Sequence, residues 1–182
     1  LALVKNGEAN AIVVTPADGS LDSHARQIVA CLRTRWGVTL DIVSDTAATQ
    51  RAQKGHVLAL GCLANNRLIA SVYHRFNTLV DRWYPGAGGW VLQTILSPDR
   101  MGDHMLVVGG SDVDGVALAT QKLLSELEDT SEGRLPWQLD VQLGDDHLPL
   151  PEDRMDCLGM ATSEIPGANS ALPETPYASG FR

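Results

Sequence analysis

The apolar residues of this chain fall into short runs separated by polar or glycine-rich turns, and the spacing within each run predicts its secondary structure. The first two runs, residues 1–4 and 9–15, flank the pair Asn6-Gly7. Asparagine and glycine both tolerate a positive φ, so this pair between two strand-like runs is typical of a tight hairpin turn. The sequence therefore predicts that the chain opens with a β-hairpin.

Four later segments carry apolar side chains at helical spacing, and five more are short apolar runs typical of strands. The predicted helices cover residues 22–36, 47–54 and 67–81, with a last one that follows residue 112 and ends near residue 128. The remaining predicted strands cover residues 39–43, 56–63, 90–96, 104–108 and 139–143. Asp22 or Ser23 is expected to cap the first helix, and Gly37 to end it. Ser111 or Asp112 is expected to cap the last helix.

The order of these elements predicts the fold class. The run at residues 56–63 is apolar without alternation, which indicates a strand covered on both faces. The order ββαβαβαββα predicts an α/β fold with one mixed sheet, opened by the hairpin, and helices on both faces. Beyond Gly144 the chain has five prolines, many acidic residues and no periodicity, which predicts an irregular tail. We therefore divide the chain into an α/β domain, residues 1–143, and an acidic, proline-rich linker or tail, residues 144–182.

The net charge of −8 is concentrated in the last third of the chain. Residues 1–125 contain 10 acidic and 11 basic side chains, whereas residues 126–182 contain 12 acidic and 3 basic ones. An acidic chain without a basic cluster argues against binding to nucleic-acid phosphates or to an anionic membrane surface. No run approaches the roughly 18 consecutive apolar residues of a membrane span. We therefore expect neither nucleic acid nor a membrane as a partner.

The cysteines and histidines lack the spacing of a metal site. Cys31, Cys62 and Cys157 are odd in number and contain no CxxC pair, and the first two lie in apolar runs typical of buried, inert thiols. The five histidines are scattered, without HxH or HExxH spacing. The sequence therefore predicts no metal and no other cofactor, and it shows no GxSxG elbow or other catalytic set.

A glycine-rich turn, residues 109–115, follows a predicted strand and precedes a helix. Such a turn can bind phosphate through its backbone amides. Asp112 and Asp114 would repel an anion there, however, and both the GxGxxG spacing and the P-loop lysine are missing. We interpret these residues as a capped structural turn.

Two groups of residues are candidates for carbohydrate binding. Trp83, Tyr84 and Trp90 bracket a glycine-rich loop and can stack on a sugar ring, although aromatic residues that only pin a loop show the same pattern. Asn65 and Asn66 follow a central strand, where α/β sheets bind ligands, although asparagine is equally a residue of turns and caps. Each of the five therefore has a binding and a structural interpretation.

Several segments together resemble a known family: LVKNGEANAIVVTP, VLALGCLANN, YPGAGGWVLQTIL and LVVGGSDVDGVALATQKLL. In order and spacing they are similar to the N-terminal α/β domain of carbohydrate-active enzymes, the domain that precedes the catalytic barrel in α-glucuronidases and β-hexosaminidases. The resemblance covers roughly residues 1–128, and its most specific parts are residues 86–92 and 107–115.

The resemblance implies a function. In that family the reaction belongs to the next domain, so no catalytic residue is assigned in this chain. The chain is then expected to be a non-catalytic accessory domain of a secreted or cell-envelope glycoside hydrolase or polysaccharide lyase. It packs on the downstream catalytic domain of the same polypeptide, shapes it, and can contact oligosaccharide. The alternative is a small α/β module that binds a nucleotide or sugar at the sheet edge near Asn65, Trp83 and Gly109. A third hypothesis is a self-contained hydrolase.

Overall fold

The computed structural model of the protein describes residues 1–50, 55–98 and 102–144, without the side chains of residues 49 and 50. These residues lie in one compact unit, Leu1–His147. The strands are β1 Val4–Lys5, β2 Glu8–Ala9, β3 Ala11–Thr15, β4 Asp41–Ser44, β5 His56–Gly61, β6 Trp90–Ile95, β7 Met105–Gly110 and β8 Leu139–Gln142. The helices are α1 Asp22–Trp36, α2 Asp45–Gln50, α3 Arg67–Tyr73 and α4 Val113–Asp129.

Six strands form one mixed sheet in the order β4-β3-β5-β7-β6-β8. The first four strands are parallel, and β6 is antiparallel to both β7 and β8. In β7 every residue is buried, and in β5 every residue after His56 is buried. The predicted mixed α/β fold is therefore confirmed, including the two-sided burial of its central strand.

Helices cover both faces of the sheet. Alternate residues of each central strand point to opposite faces, so Leu58 packs on one side and Ala59 on the other. On the first face the sheet packs against buried residues of α1 and α4: Ala25, Ile28, Leu32, Val116, Ala119, Leu123 and Leu127. On the second face it packs against buried residues of α2 and α3: Ala48, Ile69 and Val72. The second face is thus covered by the two shorter helices.

The Asn6-Gly7 turn is present, with φ of 55° and 79° at its two residues, as the hairpin prediction requires. However, β1 and β2 form a separate two-stranded sheet. Asn10 separates this hairpin from β3, because its backbone N–H donates to the Leu3 carbonyl while its own carbonyl accepts from the His56 N–H. The hairpin therefore precedes the mixed sheet instead of forming its first two strands.

The third predicted helix, residues 67–81, ends at Tyr73. Phe76 adopts a left-handed conformation with φ of 58°, and the Asn77 N–H donates to the Val72 carbonyl, which closes the helix. Residue Val80 is nevertheless buried, because the chain after the helix runs across the second face of the sheet. The apolar spacing therefore indicated the burial of Ile69, Val72 and Val80 correctly, but Phe76 and Leu79 are exposed and the helix is shorter than predicted.

The predicted N-cap was wrong for the first helix and correct for the last. In α1 the N-cap is Leu21, without a side-chain bond, and Asp22 instead accepts a hydrogen bond from the Thr15 hydroxyl. Gly37 ends α1 in the left-handed conformation, as predicted. Asp112 caps α4 by accepting the Gly115 N–H at 2.7 Å.

The other predicted boundaries differ by a few residues. Helix α2 begins at Asp45, two residues before the predicted start, and residues 51–54 of its predicted range lie outside the described residues. The predicted acidic, proline-rich tail also lies outside them, apart from Gly144.

Asp112→Ala is expected to lower the free energy of unfolding by about 1–3 kcal/mol. The Asp112 carboxylate accepts the Gly115 N–H on one oxygen and the Gly88 N–H, at 2.9 Å, on the other, so its loss leaves two amides without this acceptor. Chemical denaturation followed by circular dichroism measures the change. Asp114→Ala is the matched control, because Asp114 is exposed in the same helical turn. An equal loss in the two variants would contradict the capping role.

Candidate functional site

A cleft opens where the parallel strands end. Strand β3 leads into α1 on the first face, and its neighbour β5 leads into α3 on the second face. Two adjacent strands whose following helices lie on opposite faces form a topological switch point, where open α/β sheets bind ligands. The cleft has a volume of about 350 Å³. It is lined by Ala17, Asp18, Asp45, Thr46, Leu63, Ala64, Asn65, Asn66, Arg67 and Ala70.

Asn66 lies at this cleft but serves the fold. Its side chain is only 1% exposed. The amide nitrogen donates to the carbonyls of Leu60, at 2.9 Å, and Val14, at 3.4 Å. The amide oxygen accepts the N–H groups of Leu68 and Ile69, at 3.0 and 3.4 Å, and so caps α3. Asn66 therefore joins β3, β5 and α3, and both of its polar atoms have partners within the protein.

Asn65 is half-buried and holds the turn after β5. Its side-chain oxygen accepts the Cys62 N–H at 2.8 Å. Gly61, with φ of 120°, lies directly against the Asn65 amide, and a side chain at this position would collide with it. Of the two candidate asparagines, Asn65 is the more accessible one in the cleft.

Asp45 is a cleft residue that the sequence analysis missed. It directly follows β4 and is 3% exposed. One carboxylate oxygen accepts the Thr46 N–H at 2.8 Å, and the other accepts the Arg67 N–H at 3.0 Å. A carboxylate immediately after a parallel strand is the signal that could have identified it, since such positions meet at one sheet edge.

Asp18 adds a second carboxylate, at the cleft rim. Hydrogen bonds from the Ser20 N–H and hydroxyl hold the pKa of the Asp18 carboxyl below its usual range. Together with the Asn65 amide and the exposed Arg67 guanidinium, Asp18 gives the cleft polar acceptors and donors suited to a ligand with hydroxyl groups.

The three candidate aromatic residues do not form one platform. Trp90 is 8% exposed and belongs to the core on the first face, whereas Tyr84 packs against the core on the second face. Trp83 is 47% exposed, and the Arg82 guanidinium lies 4.5 Å from the centre of its ring. Asp81 positions this segment, because its carboxylate accepts the N–H groups of both Trp83 and Tyr84. None of the three aromatic residues lines the cleft.

The glycine-rich loop between these aromatic residues covers the start of α4. The Gly86 N–H donates to the Ser111 hydroxyl at 2.9 Å. The Gly89 backbone packs directly against Gly115 and against Gly144, with no room for a side chain at any of the three positions. We call these three residues the glycine junction. Together with the Asp112 cap, this packing agrees with our interpretation of residues 109–115 as a structural turn.

A second concavity, of about 240 Å³, lies between residues 76–80 and strands β6 and β8. We call it the β8 groove; it is lined by Phe76, Asn77, Thr78, Leu79, Val80, Tyr84, Val91, Gln93, Leu139 and Val141. Three of its apolar residues are largely exposed: Phe76 by 89%, Leu139 by 68% and Leu79 by 59%. The sequence analysis missed this groove because it assigned residues 76–81 to a helix.

The described part of the chain gives no support for a metal site, a membrane-spanning helix or a reactive cysteine. Residues 1–50, 55–98 and 102–144 contain no group of three or more histidine, cysteine, aspartate or glutamate residues arranged to hold a metal ion. Within the same ranges no helix has the length and apolar character needed to cross a bilayer. Cys31 and Cys62 are free, and burial raises the pKa of both thiols, in line with the prediction of unreactive cysteines.

No known protein-family model matches the chain, and no curated protein is significantly similar to it in sequence. The resemblance to N-terminal domains of carbohydrate-active enzymes therefore stays a prediction. The cleft and the β8 groove are the two structural features on which a function can be argued.

Trp90→Ala is expected to destabilise the fold by about 3–5 kcal/mol, because it removes a large side chain from a packed core. Trp83→Ala, at the exposed end of the same loop, is expected to change stability by less than about 1 kcal/mol. Urea denaturation of both variants measures the difference. An unchanged melting temperature for Trp90→Ala together with lost oligosaccharide affinity would instead assign Trp90 to a binding site.

Proposed function

We propose that this chain is a non-catalytic accessory domain of a glycoside hydrolase or related polysaccharide-degrading enzyme. It packs on the catalytic domain of the same polypeptide and helps to shape it. The observation that supports this proposal is the β8 groove, whose exposed apolar side chains lie close together on the second face of the sheet, where the two shorter helices pack. Contiguous exposed apolar surface rimmed by polar groups is typical of protein interaction sites.

The conformation and the exposure of Phe76 are the main support for this proposal. A left-handed φ of 58° is unfavourable for an aromatic residue, and it costs of the order of 1–2 kcal/mol relative to asparagine or glycine. The same residue exposes 89% of its surface, so nothing within the described part of the chain compensates for the strain by burying the ring. A neighbouring domain seated on the groove would bury the Phe76 ring together with Leu79 and Leu139.

Three carboxylates of the described residues have structural tasks. Asp45 accepts the Arg67 N–H at the start of α3, and Asp112 accepts the Gly115 N–H in the first turn of α4. Asp81 accepts the Tyr73 hydroxyl at 2.7 Å in addition to its two loop amides. This use of the acids supports a scaffold more than a hydrolase, in which two carboxyl groups face one another across the scissile bond. The link to glycans, and a secreted or cell-envelope location, rest on the resemblance of residues 1–128.

The variant Phe76→Asn tests whether the groove binds the catalytic domain without destabilising the fold. Asparagine tolerates the left-handed conformation, so the variant is expected to be as stable as the parent or slightly more stable. Its affinity for the separately produced catalytic domain of the same polypeptide is expected to fall at least about tenfold. Thermal denaturation and calorimetric titration measure the two quantities.

Leu118→Asn is the matched control for this experiment. Leu118 is 42% exposed on α4, on the opposite face of the sheet, and its replacement should leave the affinity unchanged. The proposal fails if the polypeptide encodes no glycan-processing domain, if this chain alone cleaves aryl glycosides, or if Phe76→Asn binds as tightly as the parent.

The cleft at the switch point favours a second candidate function, a small ligand-binding module. Its position between β3 and β5 and its polar lining, including Asp45 and Asn65, are the supporting observations. Such a site would take a sugar or the ribose of a nucleoside, because the Asp18 carboxylate, the Asn65 amide and the exposed Arg67 guanidinium offer both acceptors and donors to hydroxyl groups.

Ala64→Trp tests this second function by filling the cleft. Ala64 is exposed in the turn after β5, so the larger side chain can be placed without disturbing the core. If the module binds mono- or oligosaccharides or nucleosides, calorimetry on the parent should show binding that Ala64→Trp weakens at least about tenfold. Ala30→Trp, at an exposed position on α1 away from the cleft, is the control. No heat of binding with the parent would remove this function.

A further inference from the structure

Two histidines meet at the amino edge of the sheet, opposite the cleft. His56 begins β5, and His104 directly precedes β7. Their imidazole rings are stacked, with centres 5.1 Å apart and planes inclined by 8°. In the sequence the two histidines are 48 positions apart, and the parallel pairing of β5 with β7 brings them together.

Each imidazole accepts a hydrogen bond from a backbone N–H, a role that a backbone carbonyl has elsewhere in the sheet. The His104 N–H donates to Nδ1 of His56 at 3.0 Å, and the Ser97 N–H donates to Nδ1 of His104 at 3.2 Å. An Nδ1 atom that accepts a hydrogen bond carries no proton, so this arrangement requires Nδ1 to be unprotonated in both rings. These two bonds connect the end of β6, through His104, to the start of β5.

Protonation of His56 is incompatible with this arrangement. A proton on Nδ1 would point at the His104 N–H, which is itself a donor, and the hydrogen bond would be lost. The new positive charge would also lie against the neighbouring imidazole at 5.1 Å. The bond between these two residues therefore exists only while His56 is neutral.

The charges around His56 come from several segments. The Asp103 carboxylate lies in the connection between β6 and β7, where it accepts the Gly55 N–H at 3.2 Å, and it favours the protonated ring. Lys5 in the hairpin and the amino group of Leu1 disfavour it, as does His104. Burial is the largest influence and lowers the pKa of His56 below its usual value. The Trp137 ring, edge-on to His104 at 6.0 Å, completes the surroundings.

We propose that His56 and His104 form an acid-sensitive clip that fixes the amino edge of the sheet at neutral pH and releases the backbone of His104 and, through its Nδ1, that of Ser97 when His56 is protonated. The release also reaches the segment that precedes β8, because His104 contacts Trp137. That segment is tied to β6 through Gln138, whose N–H donates to the Thr94 hydroxyl.

The direction of the effect follows from proton linkage. Because the closed clip lowers the pKa of His56, the open form binds the proton more tightly. The clip therefore contributes its full stability above the ordinary histidine pKa of about 6.5 and loses it as the pH falls below that value.

Amide hydrogen exchange, corrected for its intrinsic pH dependence, tests the clip. Protection of the Ser97 and His104 amides in the parent chain is expected to fall at least about tenfold between about pH 7.5 and about pH 5. In His56→Asn an amide oxygen can take the place of Nδ1 without titrating, so its His104 amide should stay protected at both pH values.

Two further variants make the outcome decisive. His24→Asn removes a histidine on α1 and should keep the parent transition. His56→Phe removes the acceptor and should leave the His104 amide weakly protected at both pH values; if this variant does not fold, the comparison of His56→Asn with His24→Asn still decides. Equal protection of the parent amides at both pH values, or a parent-like transition in His56→Asn, would overturn the proposal.

Discussion

The two-sided burial of β5 and β7 is the constraint on which the rest of the structure depends. Both strands are apolar nearly throughout, so neither face of the sheet can be left to water. Parallel strands also require crossover connections, which place α1 and α4 on one face and α2 and α3 on the other. The switch point between β3 and β5, and with it the cleft, is a direct result of this arrangement. The β8 groove arises because the second face has too little helix to cover β6 and β8.

Apolar periodicity predicted the sheet and its helices because those signals are local. It failed where tertiary contacts decide: residues 78–80 lie outside any helix and Val80 packs against the sheet, although their spacing is helical. The N-cap position of Leu21 was likewise not predictable, because it depends on a hydrogen bond that Asp22 accepts from the Thr15 hydroxyl in the preceding strand. Of the candidate site, the position of Asn65 and Asn66 at a strand end was predictable. The pairing of His56 with His104 was not, because it depends on which strands are neighbours.

Polar residues at the carboxyl edge of the sheet show that side chains in a position typical of ligand binding can instead stabilise the fold. Asn66 satisfies four backbone groups from three elements, and Asp45 fixes the first turn of α3 from the neighbouring strand. Both are buried, and both would resemble binding residues in a sequence motif. The contacts explain why residue type and position alone left two interpretations for each candidate.

The glycine junction has a further consequence. Gly89, Gly115 and Gly144 come from a loop, a helix and the chain after β8, and their backbones touch without intervening side chains. Inserting one methyl group at any of them would push the same three segments apart. Thermodynamic coupling among such sites is strong, so the damage from two replacements should be much less than the sum of the separate effects. Replacements at these three residues, though distant in sequence, should therefore have overlapping effects on stability.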